Sequence, residues 1–296
     1  AHGVDGKEAR DAQGDRGGTD AVSAVRAILR DEIDARQADE IAVDLRRRHA
    51  GKPRHLLERQ RLRGRENGAI FQDSLSSFDP LFTIGEQLVE TLRTHFPVSA
   101  DEARTRAIAL LEQVGIPGAP ARLGHYPHQF SGGMRQRVVI ALALAGQPSL
   151  IIADEPTTAL DVSIQSQIVA LLRDLARKHN TAIMLITHDM GVIAGIADRV
   201  AVMYAGRIVE TGAVADVIHR PRHPYTAGLM ASIPSIATER PRLLQIDGAM
   251  PRPDAIPSGC AFHPRCLAAL DRCAGERPPL VASARGEAAC WRVHPG

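Results

Sequence analysis

Short apolar runs bounded by polar turns alternate with longer stretches of helical period through the middle of the chain. Ser149-Leu150-Ile151-Ile152-Ala153, Ala182-Ile183-Met184-Leu185-Ile186 and Val200-Ala201-Val202-Met203-Tyr204 are continuous apolar runs. They are too short for buried helices and rich in branched side chains, so they predict strands buried on both faces. Helices are expected between them, over about Ser163 to Lys178 and Met190 to Ala197. Strands alternating with helices in this way predict an α/β fold with a parallel sheet. Upstream, Ala103, Ala107, Leu110, Leu111 and Val114 recur at helical spacing and Gly115 follows as a stop, which predicts a surface helix over Ala100 to Val114. Ala205-Gly206 before Arg207-Ile208-Val209-Glu210 predicts a hairpin, and Pro-rich sequence from Pro221 onward marks a looser C-terminal region. Residues 1 to about 50 show little apolar period outside Val22 to Leu29, and no strand is predicted there.

Composition narrows the class. With 296 residues, 44% of them hydrophobic, the chain can build one large domain or two ordinary ones. Lys plus Arg is 36 against 34 for Asp plus Glu, so the net charge of +2 supplies no whole-chain ground for a nucleic-acid partner. Nine basic residues against the single acid Glu58 lie between Arg46 and Arg65, either a phosphate-facing surface or a solvated helix face. No window approaches the roughly 18 consecutive apolar residues of a membrane-spanning helix, and no signal segment is recognisable, so a cytoplasmic protein is expected. All four cysteines fall after residue 259, which suits one local device better than a disulfide framework.

Two motifs carry chemistry. Ile151-Ile152-Ala153 runs into the adjacent carboxylates Asp154 and Glu155, at the strand end where open α/β sheets place ligands. In phosphoryl-transfer enzymes an acid there holds Mg²⁺ and its neighbour orients or deprotonates the attacking water, while the plainer reading is a helix cap with a spare acid. Ser131-Gly132-Gly133 opens a helix that runs on to Ala145, and backbone N–H groups at such a start bind phosphate. Leu150 to Glu155 and Ser131 to Arg137, with Gln72 in Ile70-Phe71-Gln72-Asp73, Asp161 in Ala159-Leu160-Asp161 and His188 in Ile186-Thr187-His188-Asp189, resemble in order and spacing the five motifs of ABC ATPases: Q-loop, signature, Walker B, D-loop and switch histidine. Thr158 to Gln165 and the tail beginning His219-Arg220-Pro221-Arg222-His223-Pro224-Tyr225-Thr226 are similar to the oligopeptide, dipeptide and nickel importers.

That resemblance implies a P-loop NTPase-like (RecA-like) parallel sheet with a helical ABC subdomain and a Cys-containing extension. It divides the chain into a remnant of the P-loop region (1–54), the ATPase domain (55–218, helical subdomain about 75–145) and the extension (219–296). It implies ATP and Mg²⁺ as cofactors, Glu155 as catalytic base, His188 on the γ-phosphate, Asp154 and Gln72 at Mg²⁺, and Ser131, Gly132, Gly133 and Asp161 at nucleotide. The implied partners are a second ABC ATPase, identical or not, two membrane-embedded permease subunits and a separate substrate-binding protein, with this chain peripheral on the cytoplasmic face of the inner membrane. DNA-repair ABC proteins insert long coiled coil where only 58 residues lie between Gln72 and Ser131, which favours the transporter. The family's Gly-x-x-x-x-Gly-Lys-Ser/Thr loop has no match in the chain. Spacing from Gln72 puts its place at Gly14 to Ser23, where glycine but no lysine occurs, and Val25 to Arg30 resembles the helix that follows a P-loop. Either the N-terminal region of an ordinary ATPase is altered, or the subunit is degenerate and completes a partner's ATP site with its own signature. Cys260, Cys266, Cys273 and Cys290 lie in a tail whose Pro257 to Cys266 resembles that of peptide-importer ATPases, and the resemblance implies a 4Fe–4S cluster, with zinc or free thiols as alternatives.

Overall fold

The computed structural model describes residues 64–233 and 245–294, together with the backbone of a strand at 25–28. Gly14 to Ser23 and Arg46 to Arg63 lie outside the described residues. The apolar runs form β3 (Leu150–Asp154), β4 (Ala182–Thr187) and β5 (Arg199–Tyr204), within a residue of expectation. They join β1 (Val25–Ile28), β2 (Asn67–Ile70), β6 (Arg207–Ala213), β7 (Val281–Ser283) and β8 (Gly286–Ala288) in one sheet of order β2-β3-β4-β1-β5-β6-β8-β7. β2, β3 and β4 pair in parallel. The expected helix at Val25 to Arg30 is corrected: Val25–Ile28 is a strand, antiparallel to both β4 and β5. Those two strands bond to β1 and not to each other, so a slot in the sheet sets its conformation where four residues of local sequence could not. β5 and β6 form the expected hairpin, with Ala205 and Gly206 both at positive φ (47° and 76°), the backbone of a type I′ turn.

The helices start where side chains can cap them. In α1 (Ile84–His95), the Thr83 hydroxyl accepts from Glu86 N–H at 3.2 Å while the Glu86 carboxylate accepts from Thr83 N–H at 2.7 Å. Ser99 caps α2 (Ala100–Gln113), whose Ala103, Ala107 and Leu111 are buried with Val114 just beyond it, and Gly115 follows at φ 75°. α3 (Gly132–Ala145) and α4 (Val162–His179) are capped by Ser131 and Asp161, and α5 (Met190–Ile196) by Asp189. One continuous apolar core runs from α1 and α2 through α3 and the sheet to Phe262 in the C-terminal region. Among the described residues no helix is long and apolar enough to cross a membrane.

The C-terminal region is fastened to the sheet. Glu210 of β6, 1% exposed, accepts the backbone N–H groups of Arg222 and His223 at 2.8 and 2.9 Å, with the Arg222 guanidinium alongside. Burial pushes the His223 pKa down to about 4, so the imidazole is neutral. Tyr204 at the end of β5 packs against Tyr225 and Phe262, ring centroids 4.7 and 5.2 Å away, and receives the Arg265 guanidinium on its hydroxyl.

Candidate active site

Three loops leave the carboxyl ends of the adjacent parallel strands β2, β3 and β4, and each contributes one polar side chain to a single cluster. Glu155 follows β3 at φ 43°, its N–H donating to Ile186 O at 2.8 Å, which turns its side chain out of strand register. Its carboxylate then accepts from Gln72 Nε2 at 3.2 Å, Thr158 Oγ at 2.7 Å and His188 Nδ1 at 2.8 Å. Burial raises the Glu155 pKa, but the Thr158 and His188 hydrogen bonds and the His188 charge outweigh it, leaving the carboxyl below its usual value. A carboxylate kept ionised and aimed by three donors is suited to orient and deprotonate a water. His188 remains largely exposed (60% of its side chain), open to a ligand above the cluster. Asp154 lies at the rim of a groove of about 1040 Å³ that Ile70, Phe71, Ser77 and Phe82 also line.

A second group forms around the α3 N-terminus. Ser131 Oγ accepts from Met134 N–H at 3.4 Å, and the two glycines that follow lie against the turn after β3. A Cβ on Gly133 would fall 2.7 Å from Ile164 Cγ2, and one on Gly132 would meet Leu160 Cδ2 at 3.7 Å. Asp161, which caps α4 by accepting from Ile164 N–H at 2.9 Å, stands between them in sequence. Gln72, Glu155 and His188 are therefore brought together, and Ser131, Gly132 and Gly133 are gathered with the Asp161 turn. Thr158 adds a partner of Glu155 beyond the family motifs, and its hydroxyl three residues after the acid is the one sequence signal for it.

The four thiols converge as well. Cys260, Cys266, Cys273 and Cys290 line one small cavity with Phe262 and Trp291, and none is in a disulfide. Gly259 at φ 63° lets Cys260 N–H donate to Cys273 O at 2.8 Å, which draws two of the turns together. Burial raises the thiol pKa of Cys260, Cys266 and Cys290, and neighbouring sulfurs add to it. Among the described residues no group of three or more His, Cys, Asp or Glu is arranged to hold a single metal ion.

The ABC transporter family model matches residues 24–158, and that of the oligopeptide/dipeptide transporter C-terminal region matches 209–273. The oligopeptide transport ATP-binding protein AppD of Bacillus subtilis is 50% identical over 226 residues, covering 76% of this chain and 69% of that one. The chain belongs to the ATP-binding proteins of oligopeptide/dipeptide ABC transporters. The dipeptide transport ATP-binding protein DppD of Escherichia coli is 49% identical over 229 residues (77% of this chain, 70% of that one), and OppD of B. subtilis 50% over 240 (80% and 67%). As an ABC ATP-binding protein the chain is an ATPase subunit that uses ATP with Mg²⁺, and Glu155 of the cluster falls within the matched segment.

Proposed function

We propose that the chain couples ATP hydrolysis to the import of di- and oligopeptides, the cargo class named for its relatives. It does so as a peripheral subunit on the cytoplasmic face of the inner membrane. In this reading residues 1–54 correspond to the altered P-loop region, 55–218 to the ATPase domain with its helical subdomain at about 75–145, and 219–296 to the family's extension. Glu155 is the base, His188 meets the γ-phosphate, and Asp154 and Gln72 hold Mg²⁺. Ser131, Gly132, Gly133 and Asp161 meet the nucleotide across a dimer with a second ABC ATPase, which docks on two permease subunits served by a separate substrate-binding protein. The observation that carries the proposal is the meeting of Gln72, Glu155 and His188 at the carboxyl ends of three parallel strands. The degenerate-subunit alternative gains nothing from relatives of about 50% identity that are themselves ATP-binding proteins. ATP turnover by the assembled transporter, beside a Glu155→Gln variant, tests it: loss of a base costs on the order of 10²- to 10⁴-fold in kcat. Undiminished turnover would remove Glu155 from that role.

The four cysteines support a 4Fe–4S cluster held by Cys260, Cys266, Cys273 and Cys290. Their thiols line one small cavity and none is in a disulfide. When bound, such a cluster supplies a one-electron redox centre and cross-links four separate turns.

A further inference from the structure

Gln165 and Asp189 have no place in the cluster described above, yet they join its two halves. Gln165 lies one turn into α4, and Asp189 directly follows His188; both are half-buried. Gln165 Nε2 donates to Asp189 Oδ2 at 2.9 Å. The other oxygen, Asp189 Oδ1, accepts from Gly191 and Val192 N–H at 2.8 and 3.2 Å, capping α5, and Asp189 N–H donates to Thr187 Oγ at 3.1 Å. His188 is thus set between two residues whose positions are fixed, and one of those fixings comes from α4. At its start α4 packs through Ile164 against Gly133, and farther along Gln167 Oε1 accepts from Arg137 Nη2 of α3 at 3.0 Å. The first turn of α4 therefore touches both the Ser131 to Gly133 turn, through Ile164, and the residue beside His188, through Gln165.

We propose that Gln165 is a positioning residue: through its bond to Asp189 it ties the alignment of His188 with Glu155 to the placement of the Ser131 to Gly133 turn of the same chain. A shift of that turn moves α4, and the Gln165 amide carries the movement to the loop that holds His188. The inference rests on the reading of Glu155 and His188 as the reacting pair. A one-turn lever of this kind acts on alignment and not on nucleotide contact, so it should appear in kcat and leave KM for ATP nearly unchanged.

The test exploits the chemistry of the pair. In Gln165→Glu the introduced carboxylate faces that of Asp189. In Asp189→Asn the introduced amide keeps its oxygen for the α5 cap, and a turn of the Gln165 amide lets Gln165 Oε1 accept from the new N–H, so this variant keeps the bond and serves as the control. In the double variant the introduced carboxylate accepts from the introduced amide, restoring the bond with donor and acceptor exchanged. Measured in the assembled transporter, Gln165→Glu is expected to lose roughly tenfold in kcat, the worth of one hydrogen bond to a charged group, with KM changed less than about twofold, and Asp189→Asn to stay within about threefold of wild type. The double variant is expected to recover most of the loss, with melting temperature varying little across the set. Gln165→Glu within about twofold of wild type in kcat, or a double no better than Gln165→Glu, overturns the proposal. Glu155→Gln in the same assay separates the two readings: activity that survives it rejects the reacting pair itself, and with it the lever, whereas activity that is lost while the Gln165 variants remain fast rejects the lever alone.

Discussion

Gly133→Ala is a one-methyl probe of how the Ser131 turn sits on α4. The new Cβ would lie 2.7 Å from Ile164 Cγ2, a distance at which real Cβ contacts are essentially never found. Because Cγ2 is fixed directly to the Ile164 Cβ, no distal rotation clears it, and α3 must move relative to α4. Overpacking of this kind costs about 1–3 kcal/mol, while replacing glycine by alanine in a helix returns up to about 1 kcal/mol. The net expectation is a loss of roughly 0–2 kcal/mol, which by itself is a weak discriminator. A double-mutant cycle with Ile164→Leu is stronger, since leucine removes Cγ2 while nearly conserving volume, at a cost below about 1.5 kcal/mol. Urea unfolding of the four proteins should give a favourable coupling of at least about 1 kcal/mol, and the double variant should be more stable than the two single losses add up to. Additive effects, or a Gly133→Ala variant that is stabilised by the full alanine gain, would refute the claim that Gly133 is there to admit Ile164.

Four further outcomes follow from the geometry. Thr158→Val removes a 2.7 Å donor from Glu155; since that donor lowers the acid's pKa, the acid limb of the kcat–pH profile should move to higher pH, and an unmoved limb would detach Thr158 from the base. Thr83→Ala should destabilise by about 1 kcal/mol, the usual worth of an N-cap, read by thermal or urea unfolding. The Glu86 carboxyl, held below its usual value of 4.5 by the Thr83 backbone N–H and hydroxyl, contributes stability that is complete above that value and lost as pH falls through the lowered one, so the difference in stability between wild type and Glu86→Gln should shrink as the solution is acidified below 4.5. Anaerobically purified protein should contain about four iron and four sulfide per chain, and Cys273→Ser should lose both; iron-free protein with four alkylatable thiols would reject the cluster.

Much of this architecture is legible in the sequence, for identifiable reasons. β3, β4 and β5 are buried on both faces, so their apolar runs mark their ends to within a residue. Gln72, Glu155 and His188 each stand just beyond a strand end, so the strand order alone brings them together. Other elements depend on tertiary information. Val25–Ile28 is a strand because two partners flank it, and Asn67–Ile70 opens with Asn-Gly, poor strand residues held by pairing to β3. The hairpin of β7 and β8 lies in a Pro-rich stretch without strand-like alternation. The convergence of the cysteines depends on turns such as that at Gly259, which irregular spacing conceals.

The pairing of β8 with β6 has a consequence for any attempt to cut this chain. Glu210 and Thr211 face Ala288 and Glu287, and Ala289 N–H donates to Val209 O at 2.8 Å, so the β7–β8 hairpin is added to a sheet whose first six strands end by residue 213. A stop codon placed anywhere between about 220 and 280 would strip the outer neighbour from β6, leaving its backbone amides and carbonyls open to any other strand, and the shortened product should be recovered as aggregate instead of as a smaller ATPase.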